Sequence, residues 1–191
     1  MTSSPPRVLV VEDETELAEL FAEWLSEEYD VEVATNGEKA LELVDEETDI
    51  VLLDRLMPGL SGDEVLETIR DRGYNCRVAM VTAVEPDFDV LDMGFDDYVV
   101  KPLFRKDIQR LVDGLRERDA YDRHLSELFA TASKLAALES HKETDELEGN
   151  EEYRRLREKL DRTRDRVEQL ESEMSEGDFE AVFYDFDRVD L

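Results

Sequence analysis

Between Arg7 and about Arg118, short apolar runs alternate with amphipathic stretches. The apolar runs lie at 8–11, 31–34, 50–53, 78–81 and 98–100. They are rich in β-branched residues and continuous rather than alternating, as parallel strands covered on both faces are. Helical spacing separates them: Leu17, Leu20, Phe21, Trp24 and Leu25 are placed on one face, as are Ala40, Leu41 and Val44, and Val65, Leu66 and Ile69. Repeated βα units of this kind predict an α/β fold, a doubly wound five-stranded parallel sheet with right-handed crossovers. The weakest element is a fourth helix over 87–93, short and carrying three acids.

After Arg118 the period becomes purely helical. Tyr121, Leu125, Leu128, Phe129, Ala132, Leu135 and Leu138 recur at helical spacing, and a polar interval over 140–150 follows. Asn150 is placed to cap a second helix. That helix carries a heptad seam, with Tyr153, Leu160, Val167 and Met174 at a and Leu156, Thr163 and Leu170 at d. Gly177 marks its expected end. The pattern predicts a C-terminal α-helical hairpin, giving domains over 1–118 and 119–177 and an acidic, aromatic tail over 178–191. The seam suits an intermolecular coiled coil, and so a homodimer, as well as it suits an intrachain hairpin.

Charge changes the picture of partners and medium. The 191 residues hold 52 acids against 23 Lys and Arg, a formal net of −29. Such a field repels phosphate backbones and anionic lipids. Because the acids fall between regular apolar runs, a folded protein adapted to high salt is favoured over a disordered one. No stretch approaches the roughly 20 apolar residues of a membrane span. The first six residues hold no apolar signal core, and Cys76 has no second cysteine to pair with. These features predict a cytoplasmic protein without a membrane partner.

Ligands of open parallel sheets bind at the carboxyl ends of the strands. There the first strand presents Glu12 and Asp13, the third Asp54, the fourth Thr82 and Ala83, and the fifth Lys101 before a proline. Three carboxylates at close range repel one another; protonation is one relief and a hard divalent cation the other, and Mg²⁺ suits a few carboxylates plus waters. Asp54, at a strand tip, becomes a nucleophile that forms an aspartyl phosphate. Lys101 then faces a phosphoryl oxygen, the Thr82 hydroxyl bonds another, and Ala83 leaves the approach open and offers its N–H. In so acidic a chain any single carboxylate is more often solvated surface, and Glu14 is read that way. Tyr98 taken alone is more often a packed aromatic. The joint occurrence at four strand ends carries the functional reading.

The strings VLVVEDE at 8–14, VLLDRLMPGLSG at 51–62, VAMVTA at 78–83 and GFDDYVVKP at 94–102 resemble a response-regulator receiver domain of the chemotaxis type, over residues 7–118. The resemblance implies flavodoxin-like strand order 2-1-3-4-5, a histidine kinase as phosphoryl donor and Asp54 as phosphoacceptor. It implies Mg²⁺ on Glu12, Asp13, Asp54 and the Leu56 backbone carbonyl, and a loop behind the site shaped by Pro58 and Gly62. It also implies a switch pair, Thr82 moving toward the phosphoryl group and Tyr98 rotating inward. The responding surface would be the fourth helix, fifth strand and fifth helix. A cation at Arg55 is expected either to alter phosphoryl lifetime or simply to point to solvent. LFATASKLAALES at 128–140 with GNEEY at 149–153 resembles the HalX domain, a helical module found after receiver domains in haloarchaea.

The leading expectation is a phosphorylation-controlled signalling protein acting through its helical module on a protein partner, and not an enzyme beyond self-phosphorylation and self-dephosphorylation. A DNA-binding transcriptional regulator is the alternative. Seven basic residues crowd 154–166, but over 151–174 eight acids interleave with them. That interleaving marks a salt-bridged helix surface, and no helix-turn-helix pattern is present. A phosphatase of the haloacid dehalogenase type is disfavoured, because Leu56 stands where that family needs a second Asp.

Overall fold

A computed structural model describes residues 5–87, 90 and 93–173. The chain divides into two compact units between Arg116 and Glu117. In the first, β1 (Arg7–Val11), α1 (Thr15–Leu25), β2 (Asp30–Ala34), α2 (Gly37–Leu43), β3 (Ile50–Leu53), α3 (Gly62–Asp71), β4 (Arg77–Thr82) and β5 (Asp97–Val100) follow in order. The first turns of α4 (Arg105–Glu139) complete it. The sheet is wholly parallel with order β2-β1-β3-β4-β5, as the resemblance implies.

The continuous apolar runs become strands because both faces are covered. Leu9, Val11, Val51, Leu53, Val78 and Met80 pack with Ala40, Val44, Val65, Leu66 and Ile69 of the α2–α3 side. Their neighbours Val8, Val10, Ile50, Leu52, Ala79 and Val81 point the other way, against Ala18, Phe21 and Leu25 of α1 and Ile108, Val112 and Leu115 of α4. The strand period of two thus divides each run between two cores. Each buried Val, Leu or Ile contributes about 1.5–3 kcal/mol, so these layers hold the strand ends in place. Leu20, assigned to the inner face of its helix, is 38% exposed instead. Ala18 takes the buried position at that level of α1.

Helix starts follow local chemistry. The Asn36 side chain accepts from the Lys39 N–H at 2.8 Å, capping α2. Ser61 and Glu64 form a capping box at α3. Four residues of the helix expected over 87–93 (88, 89, 91 and 92) lie outside the described residues.

In the second unit, the rest of α4 is followed by α5 (Thr144–Glu148) and α6 (Glu151–Glu173). Leu135, Leu147 and Tyr153 form a small core joined by Leu156 and Leu160. Lys159 pairs with Glu127 at 2.5 Å, and the Tyr153 hydroxyl donates to Glu139 at 2.6 Å, so α6 returns antiparallel along α4. Asn150 accepts from the Tyr153 N–H at 3.0 Å, the cap expected of it. The polar interval is not a plain connection: it forms α5, whose Leu147 plugs the hairpin core. Phe129, assigned to the apolar face, is 61% exposed, and Leu138 is exposed too; Thr131 is buried in the stripe instead. Gly177, Met174 and the tail lie outside the described residues. No helix among the described residues is long and apolar enough to cross a membrane.

Candidate functional site

The sheet ladder runs one residue beyond the strands at the carboxyl edge. Glu12 N–H donates to the Ala34 carbonyl at 3.0 Å, Asp54 N–H to Val11 at 2.9 Å, and Lys101 N–H to Thr82 at 2.8 Å. The backbones that carry Glu12, Asp54 and Lys101 are therefore fixed by main-chain bonds, in register with the strands below. This is why residues as far as 89 positions apart in sequence meet on one rim.

Glu12, Asp13 and Asp54 each bring an oxygen within 4.8 Å of the others. Glu12 is 3% exposed and Asp54 8%, whereas Asp13 faces solvent. The Lys101 ammonium bridges the two buried acids, 2.5 Å from Glu12 Oε2 and 3.0 Å from Asp54 Oδ2. One cation shared by two carboxylates affects the partners differently. Burial raises the Glu12 carboxyl above its ordinary range, and the hydrogen bond from Lys101 offsets only part of that. At Lys101 burial pulls downward, but hydrogen bonds to Glu12 and Asp54 outweigh it, so the ammonium is held above its ordinary value. One ammonium facing three carboxylates leaves negative charge in excess. An all-oxygen set of this kind fits a hard divalent cation such as Mg²⁺.

Thr82 is fully buried at the end of β4, and Ala83 beside it is exposed. Tyr98 is half-buried on β5, its ring 5.5 Å from that of Phe95. Val84, which carries no signal in the sequence, joins the two. Its N–H donates to Thr82 Oγ1 at 3.3 Å, and its carbonyl accepts from the Tyr98 hydroxyl at 2.9 Å. Only the main chain is used, so no residue type could have announced it.

The turn after β3 is tightly closed. Leu56 N–H donates to Asp54 Oδ1 at 3.4 Å, while the Leu56 side chain is exposed. Gly62 N–H donates to the Arg55 carbonyl at 2.9 Å. A Cβ at Gly62 would lie 2.1 Å from the Asp54 carbonyl oxygen, so only glycine lets α3 start this close behind Asp54. Gly59 sits at φ +82°, in the left-handed region glycine adopts freely, immediately after Pro58. Arg55 does not point to solvent. It is 9% exposed, and its guanidinium forks onto Asp63, with Nε 3.1 Å from Oδ1 and Nη2 3.1 Å from Oδ2. Asp63 lies in the first turn of α3, where the helix dipole favours an anion, and this partner draws Arg55 inward.

A parallel sheet of this order, with an acidic cluster and a lysine at its carboxyl edge, defines a receiver-type α/β protein. The chain belongs to the response regulator receiver domain family, whose model matches residues 8–113, and the HalX domain model matches residues 117–183. It is 46% identical over 158 residues to a Haloferax volcanii protein named as a transcriptional regulator, an alignment covering 82% of this chain and 27% of that protein. It is 34% identical over 144 residues to the uncharacterized transcriptional regulatory protein YrkP of Bacillus subtilis, covering 72% of this chain and 62% of YrkP. The chain thus spans less than two thirds of either relative. Among solved structures, the response regulator TrrA of Thermotoga maritima, in complex with Mg²⁺ and a beryllium fluoride, is 36% identical. It covers 58% of this chain and 98% of its own, with a TM-score of 0.51.

Proposed function

We propose that this response regulator accepts a phosphoryl group on Asp54 from a histidine kinase and signals through its C-terminal helical module to a protein partner. The observation that carries the reading is the buried Asp54 carboxylate, 3.0 Å from the Lys101 ammonium and clustered with Glu12 and Asp13. An Asp54 oxygen attacks phosphorus, the P–N bond of the donor phosphohistidine breaks, and the imidazole nitrogen leaves with the electron pair. Glu12, Asp13, Asp54 and the Leu56 carbonyl would hold Mg²⁺. Such a cation supplies charge neutralisation and coordinates a phosphoryl oxygen. Lys101 faces a second oxygen, and the Thr82 hydroxyl and Ala83 N–H serve the remainder.

Phosphorylation adds a charge of about −1.5 to −2 beside Thr82. A Thr82 hydroxyl drawn to that charge releases the Val84 N–H, and Tyr98 feels the change through the Val84 carbonyl. That main-chain link supports the reading of Thr82 and Tyr98 as a switch pair. We assign the receiver to 1–118, the helical module to 119–177 and a separate tail to 178–191, and we place the protein in the cytoplasm. The reading is tested by incubating the full chain with acetyl phosphate and Mg²⁺. One acid-labile phosphoryl group per chain is expected for wild type and none for Asp54→Asn; equal labelling of the two contradicts it.

A second reading, DNA binding, rests on α6, where Arg154, Arg162 and Arg166 are exposed. Its acids answer much of that charge, as in the pairs Arg155–Glu151 and Arg164–Asp161. A gel shift by phosphorylated protein at molar salt would establish it.

A further inference from the structure

We propose that the Arg55–Asp63 fork is a positioning device for the cation site, holding the turn that presents the Leu56 carbonyl. The inference rests on the assignment of Mg²⁺ to Glu12, Asp13, Asp54 and Leu56. Carboxylates reach a cation through flexible side chains, and a small misplacement is absorbed by a rotamer. A backbone carbonyl has no such freedom: its direction is the direction of the turn. Whatever fixes that turn sets the quality of the ligand.

Among the described residues, the contacts that fix this turn include the following. The Asp54 carboxylate accepts from the Leu56 N–H at 3.4 Å, which orients the peptide from inside the site. The Arg55 carbonyl accepts from the Gly62 N–H at 2.9 Å, and the Arg55 side chain grips Asp63, the next residue of α3. Arg55 is thus tied by main chain and by side chain to consecutive residues of one helix end. The loop between, residues 56–61, is closed as a ring on a rigid base. A two-point fork resists rotation where a single bond does not, and its arginine side chain is only 10% exposed while Asp63 is 42% exposed. Leu56 is the first residue of that ring.

Charge alone predicts the opposite effect. Arg55 is a cation next in sequence to Asp54, and removing it should tighten binding of a second cation. Positioning predicts that removing it weakens binding. The sign of the change separates the two.

The test is calorimetric titration of Mg²⁺ into full-length wild type, Arg55→Met, Arg55→Lys, Asp63→Asn and Asp13→Asn at one high salt concentration. Thermal melts without Mg²⁺ are recorded alongside. The expected result is a loss of Mg²⁺ affinity of about tenfold for Arg55→Met, in the range found for residues that orient metal ligands. Asp63→Asn should weaken binding in the same direction. Arg55→Lys should fall between, since a point charge cannot fork. Any drop in melting temperature should not track these affinities. Unchanged or tighter binding in Arg55→Met, with Asp13→Asn clearly weakened, overturns the positioning role and leaves the cation site standing, whatever Asp63→Asn shows, because losing an anion weakens cation binding by charge alone. Unchanged binding in Asp13→Asn as well removes the cation assignment itself.

Discussion

At the residue scale, Gly62 and Glu12 make opposite demands on the fold. A methyl at Gly62 would press on the Asp54 carbonyl oxygen from 2.1 Å and on the Arg55 Cα from 2.9 Å, both backbone atoms that cannot step aside singly. Gly62→Ala is predicted to cost about 1–3 kcal/mol, the usual penalty of overpacking, and to slow labelling by acetyl phosphate. Urea unfolding of the two proteins checks this. Glu12 is a site held against stability. Its carboxyl is raised above the ordinary value of 4.5, chiefly by burial, so the folded chain keeps that proton to higher pH than the unfolded one. Stability therefore falls as pH rises from the ordinary value through the raised one. In magnesium-free buffer Glu12→Gln should melt higher than wild type at pH 7, with the advantage fading below the ordinary value. A variant that melts lower at pH 7 would contradict the sign. The convergence of the acids, Thr82 and Lys101 was legible because their side-chain chemistry falls at strand ends, whereas Tyr98, inside β5, was singled out only by the family resemblance. Val84 was not, because it acts through its backbone. The burial of Arg55 was not legible either, because its partner Asp63 lies eight residues on and looks like an ordinary helix-start acid.

At the element scale, the five strands could be read because burial on both faces produces unbroken β-branched runs. Face assignments on single helices were less secure. Leu20 and Phe129 are spaced like core residues yet exposed, since a helix buries only the stripe its neighbours cover. The short helix α5 escaped because one apolar residue, Leu147, among acids gives no period. The heptad seam left its partner open. Tyr153, Thr163, Val167 and Leu170 are buried within one chain, which favours the hairpin. Val167→Asp is accordingly predicted to lower helicity and thermal stability at every protein concentration, measured by circular dichroism. A destabilisation that grows on dilution would point to a coiled coil between chains. Asn150→Ala should remove the α6 cap and cost about 1 kcal/mol.

At the scale of the whole molecule, the formal charge of −29 predicts a high-salt working medium. Exposed acids repel over a screening length of about 10 Å at 0.1 M salt and about 3 Å at 1 M. Dilution from molar salt to about 0.1 M is predicted to lower the melting temperature progressively, with the first loss in the second unit, whose cluster of Leu135, Leu147 and Tyr153 is far smaller than the two cores around the sheet. A flat melting temperature across that range would mean the charge is solubility alone. The same field bears on partners: it favours docking through neutral or apolar protein surface over phosphate backbones.

All of this turns on one carboxylate. Reducing the phosphorylated chain with borohydride converts an acyl phosphate into an alcohol and so marks the residue that carried it. Mass spectrometry of the resulting peptides should find homoserine at position 54 and nowhere else. Reduction at Glu12 or Asp13 in its place, or labelled protein without any reduced carboxylate, would contradict the account.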